Sequence, residues 1–94
     1  MDNTESIDVL RNHVRHVHTT PLGAERIKRN LGLSVPDVVA WCRNKILDSR
    51  SRITRRGKNW YVLTDDCEIT VNAYSYTVIT AHTIEASVTI VECI

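Results

Sequence analysis

RRGKNWYVLTDDCEITVNAYSYTVITAH, Arg55 to His82, alternates apolar and polar residues and is interrupted at three places by turn-forming residues. Period-2 alternation puts successive side chains on opposite faces of a strand. Arg56-Gly57 reads as a two-residue hairpin turn in which glycine supplies the positive φ. Asp65-Asp66, between Thr64 and Cys67, reads as a second tight turn, and Ala73-Tyr74-Ser75, between Asn72 and Tyr76, as a third. The stretch is predicted to be an antiparallel β-meander, led in by a strand at Arg52–Arg55.

Loop length sets register, and register decides which side chains share a face. The expected pairs are Arg55 with Lys58, Ile53 with Trp60, Thr64 with Cys67, Val62 with Ile69, Trp60 with Val71, Asn72 with Tyr76 and Glu68 with Thr80. One face then collects Ile53, Trp60, Val62, Ile69, Val71, Ile79 and Ala81. Burying each large member of that set contributes about 1.5–3 kcal/mol. The other face collects Arg52, Asn59, Tyr61, Glu68, Thr70, Asn72, Tyr76, Thr80 and His82. A solvated face more usually carries scattered Lys, Glu and Thr. Glu68 and His82 are expected on adjacent strands, one diagonal step apart. A carboxylate and an imidazole are the base and acid that phosphodiester cleavage through a 2′-hydroxyl requires, with Arg52 offsetting charge on the phosphorane and Tyr61 in support. Plain solvated surface is the competing reading of the same face.

Outward from the meander, residues 4–17 carry an apolar stripe at helical spacing (Ile7, Leu10, Val14, Val17) with Arg11 and Arg15 outside it. His13, His16 and His18 lie along it. His13 and His16 share a helical face, but no cysteine or acid stands beside them, so they are expected at the surface and no metal or other cofactor is expected. Thr20 and Pro21 open a second helix as N-cap and first position, with Leu22, Ile27 and Leu31 inward, Arg26, Lys28 and Arg29 outward, and Gly32 as terminator. Ser34-Val35-Pro36-Asp37 reads as a capping box for a helix through about Leu47, burying Val35, Val38, Val39, Cys42 and Ile46. Trp41, Arg43 and Lys45 lie on its flanks. Ala86–Ile94 is β-branched and reads as a fifth strand that invites pairing with a second copy. The expected fold is α+β: two or three N-terminal helices packed on one face of a four- to five-stranded antiparallel meander. It forms a single domain over 1–94, helical over 1–48 and sheet over 51–94.

Charge is segregated along the chain. All 12 Lys and Arg lie within residues 1–58, whereas residues 59–94 carry only acids: Asp65, Asp66, Glu68, Glu85 and Glu92. Such a split points to an anionic partner for the first half, with Arg26, Lys28, Arg29, Arg43, Lys45, Arg55, Arg56 and Lys58 as the nucleic-acid contacts. The three cysteines are odd in number and unpaired in spacing, and fit buried apolar positions in a reducing compartment. With no apolar run of membrane length, a cytoplasmic protein without a membrane partner is expected.

Two resemblances add to this. LGAERIKRNL, DVVAWCRNKI, RRGKNWYV and SYTVITAH together resemble a small uncharacterised bacterial domain-of-unknown-function family over residues 20–83, which implies no established activity. Helices followed by a meander ending in TVITAH are similar in layout to the barnase–colicin–RelE ribonuclease toxins. That layout implies RNA cleavage without metal on the sheet, with Glu68 as base, His82 as acid, and Arg52, Lys58 and Tyr61 as supports. The expected function is therefore a nucleic-acid-interacting protein of metal-independent ribonuclease type, RNA being favoured over DNA. Whether it is an enzyme stays open. One alternative is a DNA-binding helix-turn-helix in IKRNLGLSVPDVVAWC, with Val35–Leu47 as recognition helix and Arg52–Leu63 as wing. Another is a small phage- or mobile-element-encoded inhibitor gripping a host or antitoxin protein through Trp41 or Tyr74.

Overall fold

A computed structural model describes residues 9–84, so Ile7 and the fifth strand expected over Ala86–Ile94 lie outside the described residues. Helices precede strands, as an α+β chain. A helical turn at 9–12 passes into a 3-10 turn, Val14–His16, followed by α1 (Pro21–Leu31), α2 (Val38–Leu47), β1 (Arg52–Arg56), β2 (Asn59–Leu63), β3 (Cys67–Asn72) and β4 (Val78–Thr83). The strands form one antiparallel sheet in the order β1-β2-β3-β4. Among the described residues no helix is long and apolar enough to cross a membrane.

The helix expected through residue 17 tightens at His13 into the 3-10 turn. Leu10 and Val17 are nevertheless fully buried. Arg11 is turned inward rather than outward. Its Nε donates to the Ile46 carbonyl at 3.0 Å and its Nη2 to those of Asp48 and Ser51 at 3.3 and 3.1 Å, so a guanidinium caps the carbonyl end of α2.

α1 starts as its sequence suggests: the Thr20 hydroxyl accepts from the Gly23 N–H at 2.9 Å, and Pro21 holds the first position. It stops at Gly32, which sits at φ 64°. Ile27 and Leu31, four residues apart, share the inner face, and Ala24 joins them. Leu22, expected to be inward, is 78% exposed. Five residues from Ile27 correspond to about 500° of helical rotation, which carries Leu22 well round the helix. A Cβ at Gly23 would run into the Thr19 hydroxyl, which itself donates to the Val78 carbonyl and ties α1 to the sheet. Overpacking costs about 1–3 kcal/mol and alanine's helix preference returns up to about 1. Gly23→Ala should therefore lower stability by roughly 1 kcal/mol in a urea titration. A variant as stable as the parent would mean that Thr19 swings away freely.

α2 begins later than the Ser34 capping box implies. Pro36 disfavours helical geometry at Val35. Asp37 is the true N-cap, its Oδ1 accepting from the Ala40 N–H at 3.0 Å. Val38, Cys42 and Ile46 are buried at the expected four-residue interval.

In the sheet, the face assignments hold more widely than the registers. The first hairpin turns at Gly57-Lys58, so Arg56 pairs with Asn59 and Ile53 with Val62, two residues from the expected register but on the same faces. The second hairpin is as expected, with Val62 opposite Ile69 and Trp60 opposite Val71. The third departs twice. Its loop has an extra residue, Tyr76, at φ 62°, and a β-bulge lies between the pairs Thr70–Thr80 and Val71–Val78. Val78 therefore enters the core in place of Ile79, which is 42% exposed. Tyr76 leaves the polar face and packs its ring against Trp60 at 5.4 Å. The two single-residue shifts together place Glu68 opposite His82 instead of Thr80. Helices and sheet share one core, in which Leu10, Ile27, Ile46, Val62, Ile69 and Ala81 are fully buried.

Candidate functional site

Because the pleat alternates sides, the polar face of the meander resolves into rows running across the strands. The first is Arg52–Leu63–Glu68–His82, the second Thr54–Tyr61–Thr70–Thr80, and the third begins Arg56–Asn59–Asn72. The first row brings Glu68 and His82 directly across from each other, with His82 Nε2 3.6 Å from Glu68 Oε1. Both remain open to solvent, the side chains being 52% exposed for His82 and 26% for Glu68. Arg52 is exposed on the same row, one strand beyond Leu63. Leu63 had no place in the sequence-derived site. The alternation that put Val62 inside also put Leu63 outside, so its signal was present.

Tyr61 lies in the next row, diagonal to Glu68. The Arg56 guanidinium covers its ring at 4.2 Å, and Asn59 Nδ2 donates to its hydroxyl at 3.4 Å. Asn72 is not available to a ligand in the same way. Its Oδ1 accepts the Tyr74 and Ser75 N–H groups, both at 2.9 Å, and so shapes the third turn.

The eight proposed nucleic-acid contacts divide by what their side chains touch. Arg26, Arg29, Arg56 and Lys58 are exposed, and Lys28 is half-buried. Arg55 is half-buried, with Nε donating to the Gly57 carbonyl at 2.9 Å. Lys45 sits 5.2 Å over the Trp41 ring. Arg43 is an internal clamp: Nε and Nη2 both donate to the Val17 carbonyl, at 3.1 and 2.8 Å, and Nη2 also to Arg15 at 2.9 Å. The basic hairpin tip and the Glu68–His82 pair lie at opposite ends of the sheet, since the β1–β2 turn and the β2–β3 turn point in opposite directions.

Two clefts lie away from this face, against the helices and the β2–β3 turn, and neither is lined by Glu68 or His82. One, of about 90 Å³, lies at the β2–β3 end among Lys45, Asp48, Arg50, Ser51, Thr64, Asp65 and Asp66. There the hydrogen bond from Arg50 holds the Asp48 carboxyl down to about 2, against an ordinary value of 3.8. A depressed carboxylate contributes stability above its unfolded value, and that contribution is lost as pH falls from about 4 towards 2. A carbon-detected NMR titration should find the Asp48 midpoint near 2, returning to the ordinary carboxylate range in Arg50→Ala. An unmoved midpoint would mean the pair does not form in solution. The second cleft, of about 70 Å³, is apolar and lined by Leu31, Leu33, Trp41, Asp66, Cys67 and Thr83. Cys42 and Cys67 are both buried, and burial pushes the Cys42 thiol up to about 12, so it packs rather than reacts. Among the described residues, no three His, Cys, Asp or Glu side chains gather as a metal-binding set.

Residues 11–82 match the model of a family described as "Protein of unknown function (DUF3781)". The chain belongs to this family. The family's span reaches further towards the N-terminus than the resemblance over 20–83, beginning at Arg11, which caps α2, and ending at His82. No curated protein and no solved structure matches the chain.

Proposed function

We propose that the chain binds RNA and cleaves it without a metal ion, with Glu68 as general base and His82 as general acid. The observation that carries this reading is the direct pairing of these two side chains on an exposed face, 3.6 Å apart and in one row with Arg52. Both face solvent, so rotation about their own χ angles opens the pair around a phosphate. The Glu68 carboxylate accepts the 2′-hydroxyl proton as that oxygen bonds to phosphorus. The bond from phosphorus to the 5′-oxygen breaks, and protonated His82 gives its proton to the departing oxygen. The products are a 2′,3′-cyclic phosphate and a 5′-hydroxyl. Glu68 then holds the proton that His82 has lost, and their proximity lets it return directly or through one water. Arg52 offsets charge on the phosphorane, while Arg56 and Lys58 hold the backbone further along the face.

The test is end-labelled RNA incubated with the full chain in excess chelator. Cleavage leaving 2′,3′-cyclic phosphate ends is expected, and a single 2′-deoxynucleotide should block the bond that follows it. Intact RNA after prolonged incubation at micromolar protein would overturn the reading, as would cleavage that ignores the 2′-deoxy substitution. Less supports a helix-turn-helix: of the residues that α2, its recognition helix, turns fully to solvent (Ala40, Asn44 and Leu47), only Asn44 can hydrogen-bond a base edge, and its Arg43 is engaged by carbonyls. A recognition helix needs hydrogen-bonding side chains aimed at base edges.

A further inference from the structure

At the hairpin-tip end lies a group of rings that the proposed chemistry does not use. Tyr74 lies 5.7 Å from the Arg55 guanidinium, which lies 5.6 Å from Trp60; Trp60 lies 5.4 Å from Tyr76. Tyr76 in turn lies 5.9 Å from His13 and 5.8 Å from His16, and those two imidazoles stack at 5.8 Å. The middle of this row is core, since Trp60 is only 2% exposed. Its ends are not: Tyr74 is 74% exposed, and His13 and His16 are both exposed. Packing explains Trp60 and Tyr76, but it does not explain an exposed phenol ring.

Nor is Tyr74 loosely held. Its N–H and that of Ser75 bind Asn72 Oδ1, and the Ala73 N–H donates to the Lys58 carbonyl at 2.7 Å, which fastens the third turn to the basic hairpin. Arg55 covers one face of the ring from a position set by its bond to the Gly57 carbonyl, leaving the other face to solvent. A preorganised exposed ring loses little conformational entropy when a flat partner stacks on it. Exposed Arg56 and Lys58 carry positive charge at the same end of the sheet, whereas Asp65, Asp66 and Glu68 lie towards the other end. Flat, anionic and free to stack describes an unpaired nucleotide, because the base faces of a duplex are already occupied.

We propose that Tyr74, backed by Arg55, is a stacking site for a base of single-stranded RNA, and that His13 and His16 beside Tyr76 form a second such position. This rests on the RNA-binding reading above and adds that unpaired bases, not only phosphates, are recognised. Arg55 pairs with buried Trp60, so the Tyr74–Arg55 site lies on the core side of the sheet at the hairpin-tip end, apart from the Glu68–His82 row on the other face and at the other end.

The test is fluorescence anisotropy with a labelled 12-nucleotide oligouridylate, an abasic strand of equal length and an RNA duplex, all 2′-O-methylated so that the 2′-hydroxyl chemistry cannot cut them. Wild type should bind the oligouridylate more tightly than either of the others. Tyr74→Ala should weaken oligouridylate binding about tenfold or more, leave abasic binding unchanged and melt like the parent, while Tyr74→Phe keeps full affinity. His13→Ala/His16→Ala should show a smaller loss with the same pattern. A 2-aminopurine in the strand should be quenched on binding wild type but not Tyr74→Ala. If wild type binds RNA but Tyr74→Ala matches it, or if the abasic strand binds as well as the oligouridylate, the stacking site is wrong and the RNA reading stands. If wild type binds no RNA, both fall.

Discussion

Glu68→Gln is expected to slow RNA cleavage by about 10²–10⁴-fold, the size of a general acid–base contribution, while moving the melting midpoint by no more than about 4 °C. Gln keeps the shape and hydrogen-bonding reach of Glu but cannot take a proton from a 2′-hydroxyl. The stability forecast follows from exposure. A Glu–His contact whose side chains are 26% and 52% exposed is screened by water, and such pairs contribute little. His82→Ala should give a loss of similar size. The double variant should be little worse than either alone, because a base and an acid that serve one proton transfer act as a unit. Affinity separates catalysis from binding: RNA that still binds both variants but is no longer cut identifies a catalytic pair. Equal losses of affinity and cleavage would make Glu68 and His82 contact residues. Full cleavage by either variant would remove that residue from the chemistry.

That the pair meets at all was only partly legible in the sequence. Alternation alone is enough to separate Trp60, Val62, Ile69 and Val71 from Tyr61, Glu68 and Thr70, since the period of a strand is two. A register error of two residues leaves every face unchanged, which is why the misplaced first turn did no harm to the inferred core. A one-residue error reverses a face, and two of them come in succession between the third turn and β4. Tyr76 adds a loop residue in a left-handed conformation that non-glycine residues seldom adopt, costing roughly 1 kcal/mol or more. Packing of its ring against Trp60 and the two imidazoles offsets that cost. The bulge at Ile79 then restores parity, so Thr80 and His82 return to the polar face. Neither feature carries a local signal, as no Gly or Asn marks the turn's left-handed position and bulges depend on packing. The arginines were illegible for a different reason. Composition counts charges, but whether a guanidinium meets solvent or carbonyls depends on tertiary placement, as at Arg11 and Arg43.

Arg43→Ala should therefore act on stability rather than on RNA contact. The side chain fixes the 3-10 turn to α2 through three hydrogen bonds to the carbonyls of Arg15 and Val17. Hydrogen bonds to a charged donor contribute about 1.5–3 kcal/mol each, with a part-buried carbonyl left unpaired on removal. With one acceptor shared between two of the bonds, a total loss of roughly 2–4 kcal/mol is expected. For a domain of this size that lowers the melting midpoint by about 10–25 °C. Arg43→Lys should recover less than half of it, because an ammonium cannot reproduce the planar fork that reaches both carbonyls. Arg11→Ala supplies the control, since it removes a guanidinium from the carbonyls at the end of the same helix and should also destabilise. If Arg43 instead contacts nucleic acid, its alanine variant will melt with the wild type and lose affinity at low salt, with a shallower salt slope. That outcome would dismantle the clamp and return α2 to contention as a recognition helix. A large fall in melting temperature, with RNA affinity intact at temperatures where the variant is still folded, would make α2 a strut for the sheet.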